Sequence, residues 1–330
     1  MPTRARSRIL GTGSYVPEKV VTNADLEKKV DTSDAWILTR TGIRERRMAA
    51  RGQATSDLAY EAAVQALHSS GMKARDLDLI LVATCTPDAL MPSTACYLQS
   101  RLGAKKAGAM DLNAACTGFV YGLTVADSMI RTGAAGNCLL VGAELLTRFI
   151  NWEDRGTCIL FADGAGAVVM GPSGRSRSEV LTTHLYSDGE QAGLLTIPAL
   201  GSRKPATPAV LEKHLNTVHM KGNETFKLAV KGMAQAAQAA LKATGLGGGD
   251  IALFIPHQAN IRIIEATAKR LRIPMSKVMV NIDRYGNTSA ATIPIALDEA
   301  VRRGRIERGD LILLDAFGAG FTWGSALLRW

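Results

Sequence analysis

The chain has 330 residues, of which 47% are hydrophobic, 21% charged and only 5% aromatic, enough for two domains or one large duplicated one with a packed core. Its formal charge of +9 is dispersed and lacks aromatic interleaving or a nucleic-acid-binding motif; an acidic protein or a phosphorylated small molecule explains it as well as nucleic acid does, and charge alone does not decide. Five cysteines without a C-x-x-C pair argue against a disulfide framework or a zinc site, and no run approaches the ~18 apolar residues of a membrane span or forms the core of a signal peptide, so a reducing, cytoplasmic setting is expected.

In chain order, residues 8–16 predict a strand broken by glycine, and residues 22–26 predict a short helix capped by Thr22 or Asn23. The segment 34–46 sets Trp36 among arginines, a pattern that suits a solvated surface or a clamp on a phosphorylated ring. Helical periodicity over 56–70 leads into a strand at 77–84 that ends at Cys85, and a helix follows over 94–102. The run 107–112 predicts a strand that turns at Asn113-Ala114-Ala115-Cys116-Thr117-Gly118 into a helix carrying Phe119, Leu123, Ala126 and Ile130 on one face.

That placement makes Cys116 a candidate nucleophile. Unpaired N–H groups and the dipole at a helix N-terminus favour the thiolate, so a lowered pKa is expected. A buried packing cysteine is the alternative.

Continuous apolar strands follow at 137–143 and 164–170, implying a sheet covered on both faces. The pattern weakens over 171–223, which predicts a surface excursion with one or two edge strands. Beyond it come a helix over 226–243, a strand at 251–255, a helix over 259–271, a strand at 278–282, a helix over 288–303, and strands at 311–314 and 322–328. Strands alternating with helices make an α/β protein. The halves echo each other: strand 77–84 with 251–255, the Cys116 turn with the Asn287 turn, and strand 137–143 with 311–316. A duplicated βαβ-rich unit about a pseudo-twofold axis explains this.

Chemistry in α/β sheets gathers at the carboxyl ends of strands. Three such turns carry Cys116, His257 and Asn287. His257 alone suits a cap, and Asn287 alone a turn. Together, with no carboxylate base in view, they suit acyl transfer through a thioester, with the glycine-rich turn at 317–324 near an oxyanion.

With these residues in hand, the chain resembles the thiolase superfamily, and within it the β-ketoacyl-acyl carrier protein synthase III family. The resemblance rests on Gly-Thr-Gly-Ser-Tyr-Val-Pro at 11–17, Thr-Ser-Asp-Ala-Trp-Ile at 32–37, Arg-Thr-Gly-Ile-Arg-Glu-Arg at 40–46, Ala-Ala-Cys-Thr-Gly-Phe at 114–119 and Asp-Gly-Ala-Gly-Ala at 163–167. It continues through Pro-His-Gln-Ala-Asn at 256–260, Gly-Asn-Thr-Ser-Ala at 286–290 and Gly-Phe-Thr-Trp-Gly at 320–324.

It implies a thiolase-like duplicated five-layer αβαβα fold, with halves at 1–175 and 176–330, acting as a homodimer. It also implies the initiating condensation of type II fatty acid synthesis, without a permanently bound cofactor or metal. Cys116 would take the acyl group from acyl-CoA. Malonyl-acyl carrier protein would then decarboxylate, with His257 and Asn287 donating hydrogen bonds to the enolate, and the backbone of Cys116 and Ala319 would hold the tetrahedral oxyanion.

By the same resemblance, Trp36 and Arg155 would sandwich the adenine of CoA, with Arg40 and Thr41 beside it, and Gly222, Phe226, Ala259 and Asn260 would line the pantetheine tunnel. Arg262, Lys269 and Arg272, on an outward face of helix 259–271, would dock the acidic carrier protein. Two departures stand out. Ala319 replaces the middle glycine of the family's three-glycine run, which is restrictive if its φ is positive. Met91 stands where many relatives have the phenylalanine that closes the partner subunit's acyl pocket, so a primer longer or less restricted than acetyl is expected.

Neighbouring activities fit less well. A degradative thiolase needs a second cysteine in the C-terminal glycine loop, and residues 316–320 have none. Elongating synthases have a second histidine where Asn287 stands. A condensing enzyme with a different starter and a Cys–His thioester hydrolase stay open, and a silent binding protein is hard to square with an intact triad.

Overall fold

The computed structural model describes residues 6–174 and 176–330. Residues 1–5 and Arg175, at the expected join of the halves, lie outside the described residues. The five-stranded sheet uses β1 (Ser7–Tyr15), β2 (Leu79–Ala83), β3 (Gly108–Leu112), β4 (Cys138–Leu145) and β5 (Asp163–Pro172), in the order β1-β5-β4-β2-β3. The four-stranded sheet uses β6 (Glu179–Ser187), β7 (Leu253–Pro256), β8 (Leu311–Gly318) and β9 (Thr322–Arg329), in the order β7-β8-β9-β6.

Each sheet mixes parallel and antiparallel pairs. β2 runs parallel to both β3 and β4, and β7 parallel to β8. β5 lies antiparallel to β1 and β4, and β9 antiparallel to β6 and β8.

Side-chain alternation builds the layers. Along β4, Cys138 and Leu140 face one core, while Leu139, Val141 and Ala143 face another. The inner face meets α3 (Gly118–Thr132) and α6 (Thr292–Arg302), packed between the two sheets. The outer face meets α1 (Thr55–Ser70) and α2 (Thr94–Leu102). On the other sheet the outer face is covered by α4 (Gly222–Thr244) and α5 (Ile261–Leu271). This is the five-layer αβαβα fold. It explains the continuous apolar strands, since both faces of each sheet are buried.

Close approach of backbones positions the site. A Cβ on Gly142 of β4 would lie 2.3 Å from the carbonyl oxygen of Ala290, so only glycine lets the turn before α6 settle on that strand.

Two expectations need correction. Residues 278–282 do not form a strand: Val278 makes a single parallel bridge to Phe254, and Ile282–Tyr285 is a helical turn. Residue 278 occupies the place that β3 holds in the first half, but the chain leaves the sheet at once because Asn281 turns inward. Its N–H donates to Gln258 Oε1 at 3.1 Å and its Nδ2 to Glu299 at 2.9 Å.

The second correction concerns the register of the internal echo. In both halves an asparagine Oδ1 accepts the N–H two residues on, Asn113 from Ala115 (3.2 Å) and Asn287 from Ser289 (2.8 Å). That second residue has positive φ, +46° at Ala115 and +51° at Ser289, and a 3-10 turn leads into the central helix. Asn287 is therefore the counterpart of Asn113, not of Cys116, and Ala290 stands where Cys116 does.

Candidate active site

Cys116 sits in the Ala115–Thr117 turn at the head of α3, 7% exposed. It is where two cavities, each of about 500 Å³, meet. One is largely apolar, bounded by Cys85, Leu146, Phe161, Leu195, Ile197 and Val218, with Ser289 and Ala319 also on its wall. The other reaches outward past His257, Asn287 and Phe317 to Arg40, Thr41, Gly222, Phe226, Ala259, Asn260 and Arg262. Cys116, Phe161 and Leu195 belong to both. The three residues singled out for chemistry thus share one wall, and so do six of the eight expected to contact CoA.

The thiol is in the opposite state from the one its sequence position suggests. Burial pushes Cys116 up to about 12, a hydrogen bond from Ser289 opposes this, and the charge of Glu144 adds to it. Burial outweighs the favourable helix terminus because, among the described residues, no cation acts on the sulfur to replace its hydration. The resting residue is a neutral thiol. Its alkylation by iodoacetamide, read by mass spectrometry on the Cys116 peptide, is expected to rise tenfold per pH unit from pH 7 to 10 without a plateau. A plateau below pH 9 would contradict this.

Burial likewise holds His257 down to about 3, so its imidazole is neutral. Its Nδ1 lies 2.7 Å from the Thr292 hydroxyl, its ring meets Phe317 edge-on at 5.6 Å, and its Nε2 is buried without a partner. Asn287 is oriented by the Ser289 N–H on its Oδ1, which leaves Nδ2 as the free, donating end.

Behind the cysteine lies Glu144, fully buried on β4. Its carboxylate accepts from the Thr86 hydroxyl (2.7 Å), the Ser289 hydroxyl (3.0 Å), the Cys85 N–H (3.1 Å) and the Thr84 hydroxyl (3.2 Å). Burial raises its pKa and these donors pull it back. Glu144, Thr292 and Ser289 escaped the sequence reading, although an acid inside the apolar run 138–145 was a visible signal.

The doubt about Ala319 is resolved. The positive φ of the glycine-rich turn falls on Gly320 (+134°) rather than on Ala319. Gly318 is the constrained position, because a Cβ there would come within 2.8 Å of the Cys116 nitrogen.

The remaining expected contacts are distributed as follows. Trp36 is flanked by the guanidinium groups of Arg40 at 4.7 Å and Arg155 at 4.8 Å from its ring centre. Arg155 also donates to the Asp31 carbonyl at 2.8 Å. A ring entering between Trp36 and Arg155 needs about 3.5 Å on each side, so Arg155 has to swing outward.

Asn260 caps α5 and ties it to the Trp36 helix through Nδ2 to the Arg40 carbonyl at 2.9 Å. Arg262 lies over Phe226 at 5.5 Å at the cavity mouth. Lys269 instead lines a groove between α4 and α5 with Lys227 and Arg270, two basic residues that the sequence reading did not single out, and Arg272 is the C-cap of α5. Met91 is 85% exposed, and neighbouring Leu90 88% exposed. Met91 lines neither cavity of its own chain.

A family model described as "3-Oxoacyl-[acyl-carrier-protein (ACP)] synthase III" matches residues 110–189, and its C-terminal companion matches residues 241–330. The chain is similar to the β-ketoacyl-[acyl-carrier-protein] synthase III of Xanthomonas euvesicatoria pv. vesicatoria, 54% identical with all of both chains covered. It is also 56% identical to the protein of that name from Roseiflexus sp., with 97% of each chain covered. Among solved structures it resembles the 3-oxoacyl-[acyl-carrier-protein] synthase III of Aquifex aeolicus VF5, with a TM-score of 0.91 and 48% identity over 98% of this chain and 100% of that one.

Proposed function

The chain belongs to the β-ketoacyl-[acyl-carrier-protein] synthase III family, a condensing enzyme that initiates fatty acid synthesis, and from that premise we propose that its chemistry runs through Cys116, His257 and Asn287. One observation carries this reading: the three side chains line a single cavity that runs outward to Arg40 and Asn260 and inward to an apolar chamber. A pantetheine arm entering by the first brings an acyl thioester to the sulfur, and the acyl chain lies in the second.

Cys116 attacks the carbonyl of acyl-CoA, CoA leaves as its thiol, and an acyl-cysteine remains. Malonyl-acyl carrier protein enters by the same shaft and loses CO2, and His257 and Asn287 hold the enolate oxygen by hydrogen bonds. The carbanion attacks the acyl-cysteine, the backbone of Cys116 and Ala319 holds the oxyanion, and a 3-ketoacyl thioester leaves while the sulfur is reprotonated. The cysteine's proton leaves with CoA in the first half-reaction and is replaced from water in the second, one proton taken up for each CO2 released, and no step calls for a resident cofactor or metal.

Trp36, Arg40, Thr41 and Arg155 hold the nucleotide end of CoA, and Gly222, Phe226, Ala259 and Asn260 the pantetheine. Arg262, Lys269 and Arg272, joined by Lys227 and Arg270, supply the positive face for an acidic carrier protein. The exposed Leu90 and Met91 suit a homodimer in which this loop closes the acyl chamber of a second copy, and the five free cysteines suit the cytoplasm.

The test is condensation itself. Purified enzyme with malonyl-acyl carrier protein is expected to release CO2 and form 3-ketoacyl product with acetyl-, butyryl- and octanoyl-CoA alike. Use of acetyl-CoA alone would refute the roomy primer site set by Met91. Acyl-CoA hydrolysis without condensation would refute the reading as a whole.

A further inference from the structure

We infer that Arg46 is a positioning residue for the nucleotide end of CoA: it sets the spacing between the helix that carries Trp36 and Arg40 and the helical turn that carries Arg155. The inference rests on the reading of Trp36 and Arg155 as the two sides of a clamp on the adenine ring.

The Arg46 side chain is wholly buried, and its hydrogen bonds go to neutral oxygens. Both terminal nitrogens donate to Asn23 Oδ1 at 2.9 Å, Nη1 also to the Val21 carbonyl at 3.2 Å, and Nη2 also to the Ile159 carbonyl at 2.9 Å. Burial pulls its pKa down to about 10, which still leaves a cation at neutral pH. A cation buried among neutral acceptors is costly, so filling space does not account for it. What an apolar residue cannot do is donate in two fixed directions from one plane.

Those directions lead to the two sides of the clamp. Ile159 caps the short helix Arg155–Cys158, whose first residue is Arg155. Asn23 takes the guanidinium on its Oδ1 and grips the helix Asp34–Thr41 with its Nδ2. That nitrogen donates to the Asp34 carboxylate and to the Ile43 carbonyl, just past the Gly42 cap, both at 2.8 Å. One line of hydrogen bonds, from Ile159 through Arg46 and Asn23 to Asp34, therefore joins the two elements.

Two other links are present, and neither fixes the gap. Val21, Leu26, Ile37, Ile43 and Ile159 pack the same segments together, but apolar contact has no preferred direction. At the surface Arg155 donates to the Asp31 carbonyl, a bond that opens when Arg155 swings outward to admit a ring. The buried line needs no such opening, so it holds the spacing while the rim moves.

Arg46→Lys, which keeps the charge and loses the fork, tests this on the full-length enzyme. Its KM for acetyl-CoA in acyl transfer is expected to rise about 10-fold with kcat little changed, because binding remote from the reacting carbon is lost equally from ground and transition states. With acetyl-pantetheine, which lacks the nucleotide, kcat/KM should stay at the wild-type value. Asp34→Ala cuts the same line at an exposed residue and should raise the acetyl-CoA KM about threefold, the loss expected for one hydrogen bond, again sparing acetyl-pantetheine.

Equal losses on both thioesters would make Arg46 a folding residue and overturn the inference, as would an acetyl-CoA KM unchanged in the lysine variant. If the lysine variant does not fold, the alanine variant decides alone. The clamp reading fails separately, if Trp36→Ala leaves the acetyl-CoA KM at its wild-type value.

Discussion

Cys116→Ala is expected to abolish acyl transfer from acyl-CoA, a loss of about 10⁴-fold or more, while decarboxylation of malonyl-acyl carrier protein continues. The sulfur stands at the meeting point of the two cavities, and no second nucleophile can replace it. Cys85 lines the acyl chamber, but burial and then the adjacent Glu144 hold its thiol well above the usual range. Decarboxylation needs donors for the enolate oxygen, and those come from His257 and Asn287, which the substitution leaves in place. Labelled acyl-CoA trapped on protein reads the first half-reaction, and CO2 release reads the second. Acyl label retained on the alanine variant would remove Cys116 from the mechanism.

Asn287→Asp should produce the complementary loss. The carboxylate keeps the shape and still accepts the Ser289 N–H, but it turns a donor toward the enolate into an anion. One oxyanion donor is worth about 10²–10³ in rate, or about 2.7–4 kcal/mol, and like-charge repulsion adds to that. Decarboxylation and condensation should therefore fall at least that far, while iodoacetamide still alkylates Cys116. Asn287→Leu, which removes the donor without adding charge, should be impaired less than the aspartate. If aspartate proves the better of the two, Nδ2 is not the group that faces the enolate.

The candidate site was legible where its residues sit at element boundaries. Cys116 precedes a periodic helix, His257 follows an apolar strand, and Asn287 lies in a Gly-Asn-Thr turn, so each announced a strand end. Glu144, Thr292 and Ser289 were not found because their roles are contacts between segments far apart in the chain. Glu144 and Ser289 are separated by 145 residues, and His257 and Thr292 by 35. The protonation of the thiol was misjudged for a related reason. The helix terminus is local, whereas the burial that outweighs it comes from both halves closing over the sulfur.

Hydrophobic periodicity by itself determined the alternation of strands and helices, and apolar runs without alternation determined that both sheets are covered on each face. Those features are local, because side chains repeat with the period of the backbone. Only the tertiary structure decided that Asn113 rather than Cys116 matches Asn287, that 278–282 leaves its sheet, and that the Ser289 N–H orients Asn287 while its hydroxyl meets Glu144 of the other half. Register, burial and hydrogen-bond direction depend on which surfaces meet, and that is settled when the two halves pack across α3 and α6.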